Sequence, residues 1–150
     1  MDERDGAPLP GGLLLPDGAW VRGRGLNRPW PEGPEPEFGL YLGAGRFVRR
    51  HEGALRWPHV WLEWPDFRVP RDRDEAVRQI RGLHERALDG AAVEVACGGG
   101  IGRTGTVIAC LAVLGGVAPK DAVGWAREHY RPRAVETPWQ RRWVREFPAG

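Results

Sequence analysis

Cys97 and Arg103, separated by five residues in the stretch CGGGIGRTG, are followed directly by Thr104. A thiol at the base of a glycine loop that opens a helix lies among backbone N–H groups. Those dipoles and a neighbouring guanidinium stabilise the thiolate, and a thiolate so placed can attack phosphorus. Arg103 offers a planar fork that matches two equatorial phosphoryl oxygens, which a lysine cannot do. Gly98, Gly99, Gly100 and Gly102 allow the main chain to wrap closely around an anion. The Thr104 hydroxyl is expected to hydrogen-bond the sulfur and ease its departure. Upstream, Asp66 in EWPDFRVP (63–70) stands on a proline-braced loop beside a strand end. A carboxylic acid there can supply the proton that a departing alkoxide or phenoxide needs.

Two other phosphate loops compete for the same residues. Gly100-x-Gly102-x-x-Gly105 matches a dinucleotide-binding fingerprint, which predicts a second strand about twenty residues on, ending in an acidic residue. That distance lands near Asp121, at the start of a helical stretch with no strand before it. A nucleoside-triphosphate loop would need Gly at position 97 and Lys at 103, where Cys and Arg stand. The residues that spoil this second reading are the ones the thiolate reading uses.

The loop must be held by a fold, and the chain is sufficient for one. Its 150 residues suit a single domain with a full core. Hydrophobic content of 41% and charge of 28% are ordinary for a soluble protein. The net charge of +2 comes from interspersed Arg and acidic residues, a mixture that fits a small anionic substrate better than a nucleic-acid track. No apolar run approaches the ~18 residues of a membrane span. Two cysteines build neither a disulfide framework nor a zinc site, so a reducing cytoplasm is expected. The composition, rich in Arg, Gly, Ala and Pro with Lys120 as the lone lysine, suggests a GC-rich bacterial genome. The chain has no serine, which excludes a serine-nucleophile hydrolase.

Residues 1–11 read as a flexible leader and 12–150 as one domain. LLLPDGAWVRG (13–23) predicts a β-hairpin around Pro-Asp-Gly. NRPWPEGPEPE (27–37) is a proline-rich loop. FGLYLG (38–43), HVWLEW (59–64) and AAVEVA (91–96) are strand candidates. Residues 71–90 carry a helical apolar stripe with Asp72 and Glu75 as a capping box. Residues 103–114 are apolar nearly all round and read as a buried central helix. Two further helices begin at Pro119 and at Thr137-Pro138. The pattern is α/β, with the strand-loop-helix of 91–114 at its centre.

WPDFRVP, with its closing Pro70, resembles the Trp-Pro-Asp loop of the cysteine-dependent protein tyrosine phosphatases. CGGGIGRTG resembles their signature loop, and VETPWQRRWV (135–144) their third active-site segment. All three stand in family order, over about residues 38–147. The chain is most similar to the compact dual-specificity and bacterial tyrosine-phosphatase branch. The resemblance implies a phosphatase fold, with a central, mostly parallel sheet flanked by helices in a single domain. It implies a two-step displacement through a phosphocysteine, with Cys97 as nucleophile and Asp66 as acid and then base. Gln140, together with Glu136, would orient water. The backbone amides of Gly98, Gly99, Gly100, Ile101, Gly102 and Arg103 would hold the phosphoryl oxygens, and no metal or organic cofactor is expected.

Two positions depart from the family. Ala96 stands where a histidine usually precedes the cysteine, which implies a softer thiolate and slower turnover. Glu136 stands where a glutamine usually opens the third segment, and needs Arg131 or Arg133 to neutralise it. The loop lacks a basic residue between Cys97 and Arg103, which argues against polyanionic lipid headgroups and leaves phosphotyrosine as the first expectation. The expected partners are a phosphorylated protein or a small phosphomonoester, without nucleic acid or membrane, and the sequence carries no signal for an oligomeric state. The alternatives are a weak or inactive phosphopeptide-binding module, motivated by Ala96, and a phosphatase of a non-protein ester. Trp139 reads either as a lining of the pocket mouth or as a cover on the helix start. Cys110 and the tryptophans at 57, 61, 125 and 143 read as packing, Trp64 as the anchor of the acid loop, and the four histidines form no ligand spacing.

Overall fold

A computed structural model describes residues 9–149 of the chain. Most of the expected leader, residues 1–8, lies outside the described residues, while Leu9 is buried and its carbonyl accepts from the Gly12 N–H. The strands are β1 (Leu13–Leu14), β2 (Trp20–Gly25), β3 (Phe38–Gly43), β4 (His59–Glu63) and β5 (Val93–Cys97). The helices are α1 (Arg46–His51), α2 (Arg73–Leu88), α3 (Gly102–Leu114), α4 (Pro119–His129) and α5 (Pro138–Arg145). One five-stranded sheet runs in the order β1-β2-β5-β3-β4. Only β1 is antiparallel to its neighbour, and β2, β5, β3 and β4 pair in parallel. The architecture is the single α/β domain with a mostly parallel sheet that the sequence implies.

Alternation along the strands divides the sheet's two faces. Leu40 and Leu42 of β3, with Val93, Val95 and Cys97 of β5, face a core shared with α2, α3, α4 and α5. Tyr41 and Ala96 point the other way, into a smaller cluster with Leu26, Leu55 and Trp57, against which Phe47 of α1 packs. α3 runs through the middle, buried from Gly102 to Val113, so the loop before it is held by an element that cannot shift without disturbing the core.

Local signals explain the helix starts. Asp72 caps α2 by accepting from the Glu75 N–H at 3.1 Å. The expected box is only half formed, because the Glu75 carboxylate turns instead to Arg78 and Gln79. The full reciprocal box occurs on α5, between Thr137 and Gln140, with Pro138 in the first turn. The hairpin turn is secured from outside, where Asp17 Oδ2 lies 2.6 Å from His84 Nε2 of α2. The sequence reading did not anticipate α1 or the short 3-10 turn after it, Glu52–Ala54. α1 buries no residue, so it carries no apolar stripe to be read. Cys110 lies fully inside α3, where burial pushes its thiol well above the usual range.

Candidate active site

Cys97 is the last residue of β5, and β2 runs alongside it with Gly25 opposite. Beyond the strands the pairing continues: Leu26 N–H donates to Cys97 O at 2.8 Å and Asn27 N–H to Gly98 O at 3.0 Å. The loop 98–101 therefore leaves the sheet along a fixed track and turns into α3. At its apex Gly100 has φ +75°, and a Cβ there would fall 2.6 Å from the backbone of Arg24 and Gly25. Glycine is needed at that point for conformation and for space at once. The Gly100 N–H reaches the Cys97 sulfur at 3.2 Å, and Cys97 as a residue is almost completely buried.

Arg103, in the first turn of α3, is 7% exposed. Its Nη1 donates to Trp64 O at 2.9 Å and to Leu42 O at 3.3 Å. Its Nη2 lies 3.4 Å from Asp66 Oδ1. One guanidinium thus ties the signature loop to the end of β3 and to the acid loop. Asp66 itself is exposed, and its Oδ1 accepts from the Phe67 N–H at 3.0 Å. Asp66, Gly98, Gly99 and Arg103 border one hollow of about 360 Å³, together with Asn27, Ala44, Phe47 and Pro65. Asn27, Ala44 and Phe47 were not read from sequence. They come from a loop and a helix edge whose only signal was a single aromatic in a basic stretch. Asn27 Oδ1 sits 3.0 Å from His51 Nε2. Burial, then the charges of Arg50 and Arg24, lower the basicity of His51.

The acid loop is fastened from behind. Trp64 is fully buried and its indole N–H donates to Arg68 O at 2.6 Å, in keeping with the anchoring expected of it. Gln140 Nε2 donates to the same carbonyl at 3.0 Å. The Gln140 Oε1 accepts from Glu136 N–H and Thr137 N–H at 3.0 and 3.2 Å. Both ends of that buried amide are engaged, Oε1 in capping α5 and Nε2 in holding the acid loop. Trp139 donates to Phe67 O at 2.6 Å and borders the outer side of the acid loop with Pro65 and Arg68. Glu136 lies against Gly102 and shares a separate hollow with Phe67, Arg127 and Arg133. The Thr104 hydroxyl is buried and has no partner among the described residues, so the bond to sulfur expected of it is not made here. Gly100 and Ile101 border a different cavity, on the β2 side of the loop.

Beneath the loop lies a charge network that sequence reasoning missed. Glu94, fully buried on β5, accepts from Arg22 Nε and Nη2 at 3.0 and 2.6 Å and from Arg24 Nε and Nη2 at 2.8 and 2.9 Å. Tyr41 OH adds a fifth bond at 2.7 Å, and Trp57 Nε1 donates to that hydroxyl. Burial alone would raise the Glu94 carboxyl, but Arg24, Tyr41 and Arg22 together hold it below the usual carboxylate range. Burial and the neighbouring Glu94 push the Tyr41 phenol far above its own range. The available signal was a lone acid in an otherwise apolar strand, matched by two arginines at alternate positions of β2.

A family model described as PTP-SAK, the Swiss Army Knife DSP-PTPase phosphatase domain, matches residues 64–148. An uncharacterized protein of Methanocaldococcus jannaschii is 36% identical over 98 residues, covering 64% of this chain and 58% of that protein. The chain thus spans under two thirds of the length of that relative. Among solved structures, Tk-PTP in the active form superposes with a TM-score of 0.68 at 22% identity, covering 92% of this chain and 96% of that one. A kinase associated phosphatase, carrying serine for its catalytic cysteine, superposes with a TM-score of 0.64 at 16% identity, covering 75% and 68%. At these identities the two superpositions speak for the fold. Among the described residues no helix is long and apolar enough to cross a membrane, and no three His, Cys, Asp or Glu side chains gather in a group that could hold a metal ion.

Proposed function

Because this chain belongs to the PTP-SAK family of DSP-PTPase phosphatase domains, we propose that it is a cysteine-dependent phosphomonoester hydrolase. In the first step the Cys97 sulfur attacks phosphorus, forming a P–S bond as the P–O bond to the leaving group breaks. Asp66, protonated, gives its proton to the departing oxygen. In the second step Asp66, now a carboxylate, takes a proton from water. That water attacks phosphorus, the P–S bond breaks, and the electron pair returns to sulfur. Arg103 and the loop amides from Gly98 to Arg103 stabilise the equatorial oxygens through both steps.

The observation that carries this reading is the position of the Arg103 guanidinium, which reaches from the cysteine loop to both the Trp64 carbonyl and Asp66. Asp66 and Arg103 border one hollow with Gly98 and Gly99, the residues that directly follow the Cys97 nucleophile. Phosphotyrosine is the proposed substrate, since Phe47 and Pro65 offer apolar surface to an aryl group and the loop has no added cation for a polyanionic headgroup. A reducing cytoplasm is the proposed setting, because it keeps the Cys97 sulfur reduced.

Hydrolysis of phenyl phosphate by the unaltered chain, Cys97→Ser and Asp66→Ala tests the proposal. Turnover abolished by the serine substitution and slowed at least ~100-fold by the alanine substitution is expected. An unaltered chain as inert as Cys97→Ser that still bound a phosphotyrosine peptide would make the protein a binding module instead.

A further inference from the structure

This chemistry leaves unused a cavity of about 700 Å³ on the β2 side of the signature loop. Its charged border consists of Arg22, Arg24, Arg28 and Arg131, with Glu32 as its carboxylate. Arg22 and Arg24 are only 4% and 7% exposed. They share the single carboxylate of Glu94 beneath them, and among the described residues the Nη1 of each has no acceptor. Neutralising Glu94 needs one arginine, and desolvating a second guanidinium without full hydrogen bonding is costly. Two buried cations on one anion, with two more arginines at the border, amount to an excess of positive charge that an anionic guest would balance.

The walls suggest the form of that guest. The cavity is far larger than one phosphate ion, and Pro29, Pro31 and Ile101 give it apolar surface. It also touches the catalytic loop. Gly99 borders both this cavity and the catalytic hollow. Arg28 Nε donates to Gly99 O at 2.8 Å and Tyr130 OH to Gly100 O at 2.5 Å. We propose that this cavity is a second anion site, separate from the catalytic hollow, which binds the phosphate group of an organic ester through Arg22, Arg24, Arg28 and Arg131. The site is argued independently of the catalytic reading.

The test is calorimetric titration of the full chain carrying Cys97→Ser with phenyl phosphate and, in parallel, inorganic phosphate. Two equivalents of phenyl phosphate are expected. Adding Arg103→Met should remove one equivalent, and adding Arg131→Glu should remove the other. Arg131 is exposed at the border, so its reversal spares the buried network, and a thermal melt of each variant verifies folding. Because the walls are partly apolar, the second site should bind the ester at least ~5-fold more tightly than the free ion. Equal affinities overturn the assignment to an ester. A single equivalent, lost with Arg103→Met and indifferent to Arg131→Glu, overturns the second site. A single equivalent lost only with Arg131→Glu supports the second site while overturning the catalytic hollow as a phosphate site.

Discussion

The indole N–H of Trp139 donates to the carbonyl of Phe67 at 2.6 Å, so the first turn of α5 grips the residue next to the proposed acid, Asp66. Phe67 is exposed and has φ +60°, a backbone state that a non-glycine residue holds only when its surroundings impose it. Trp139→Phe keeps the ring and removes the donor. A net hydrogen bond of roughly 0.5–1.5 kcal/mol then no longer favours the poised loop. The expected result is a ~2–10-fold fall in kcat for phenyl phosphate, whose leaving group needs a proton. A smaller fall is expected for nitrophenyl phosphate, whose leaving group needs it less. Equal losses on the two esters would show that Trp139 does not act through the acid.

Gly100 and Gly99 make an internal comparison. Gly100→Ala must place a Cβ 2.6 Å from the backbone of Arg24 and Gly25, at φ +75°. The left-handed conformation alone costs about 1–2 kcal/mol, and the clash adds to it. A lowered melting temperature and at least ~10-fold loss of phenyl phosphate hydrolysis are expected, since the loop amides move with residue 100. At Gly99 a Cβ meets nothing within 4 Å, so Gly99→Ala should change stability by under about 0.5 kcal/mol. Denaturant titration of both variants checks the contrast.

The elements that carry strong local signals were legible in the sequence. β3 follows FGLYLG, α3 follows a run that is apolar on every side, and α5 starts at the expected Thr137-Pro138. The loop of Cys97 and Arg103 and the acid loop were legible because their residue types make chemical sense only together. What was not legible depends on pairing across distance. Glu94 meets Arg22 and Arg24 only because β2 lies beside β5 in parallel. Gln140 Nε2 and Trp139 Nε1 donate to carbonyls of the acid loop, contacts between segments some seventy residues apart that no local pattern reveals. Phe47 borders the hollow from α1, and Asn27 from the loop that continues β2 alongside Gly98.

Ala96, where the family usually has histidine, is fully buried among Leu26, Tyr41, Leu55 and Trp57. That face of β5 is already filled, so a larger ring has no place to brace the loop. Ala96→His is expected to cost about 1–3 kcal/mol by overpacking and to leave kcat for phenyl phosphate no higher than in the unaltered chain. A variant that melted no earlier and turned over faster would show that the cluster can accommodate the ring, and that the alanine limits the rate.

The network around Glu94 predicts a specific acid sensitivity. Its carboxyl is held below the usual range in the folded state. The stability it contributes is therefore complete above the unfolded carboxyl value of about 4.3 and is lost as pH falls through the lower, folded one. Glu94→Gln keeps the shape but leaves Arg22 and Arg24 buried with no carboxylate between them, a change expected to cost about 3–5 kcal/mol near neutrality. Urea titrations at a series of values from about pH 6 to about pH 3 should show the two proteins converging as the unaltered chain loses its own charge. A constant difference across that range would mean that folding does not hold the Glu94 carboxyl below its unfolded value, and that the cost of Glu94→Gln comes from packing and hydrogen bonding and not from the charge. Convergence would place the acid limit of this fold in one buried carboxylate directly under the catalytic loop, three residues from Cys97.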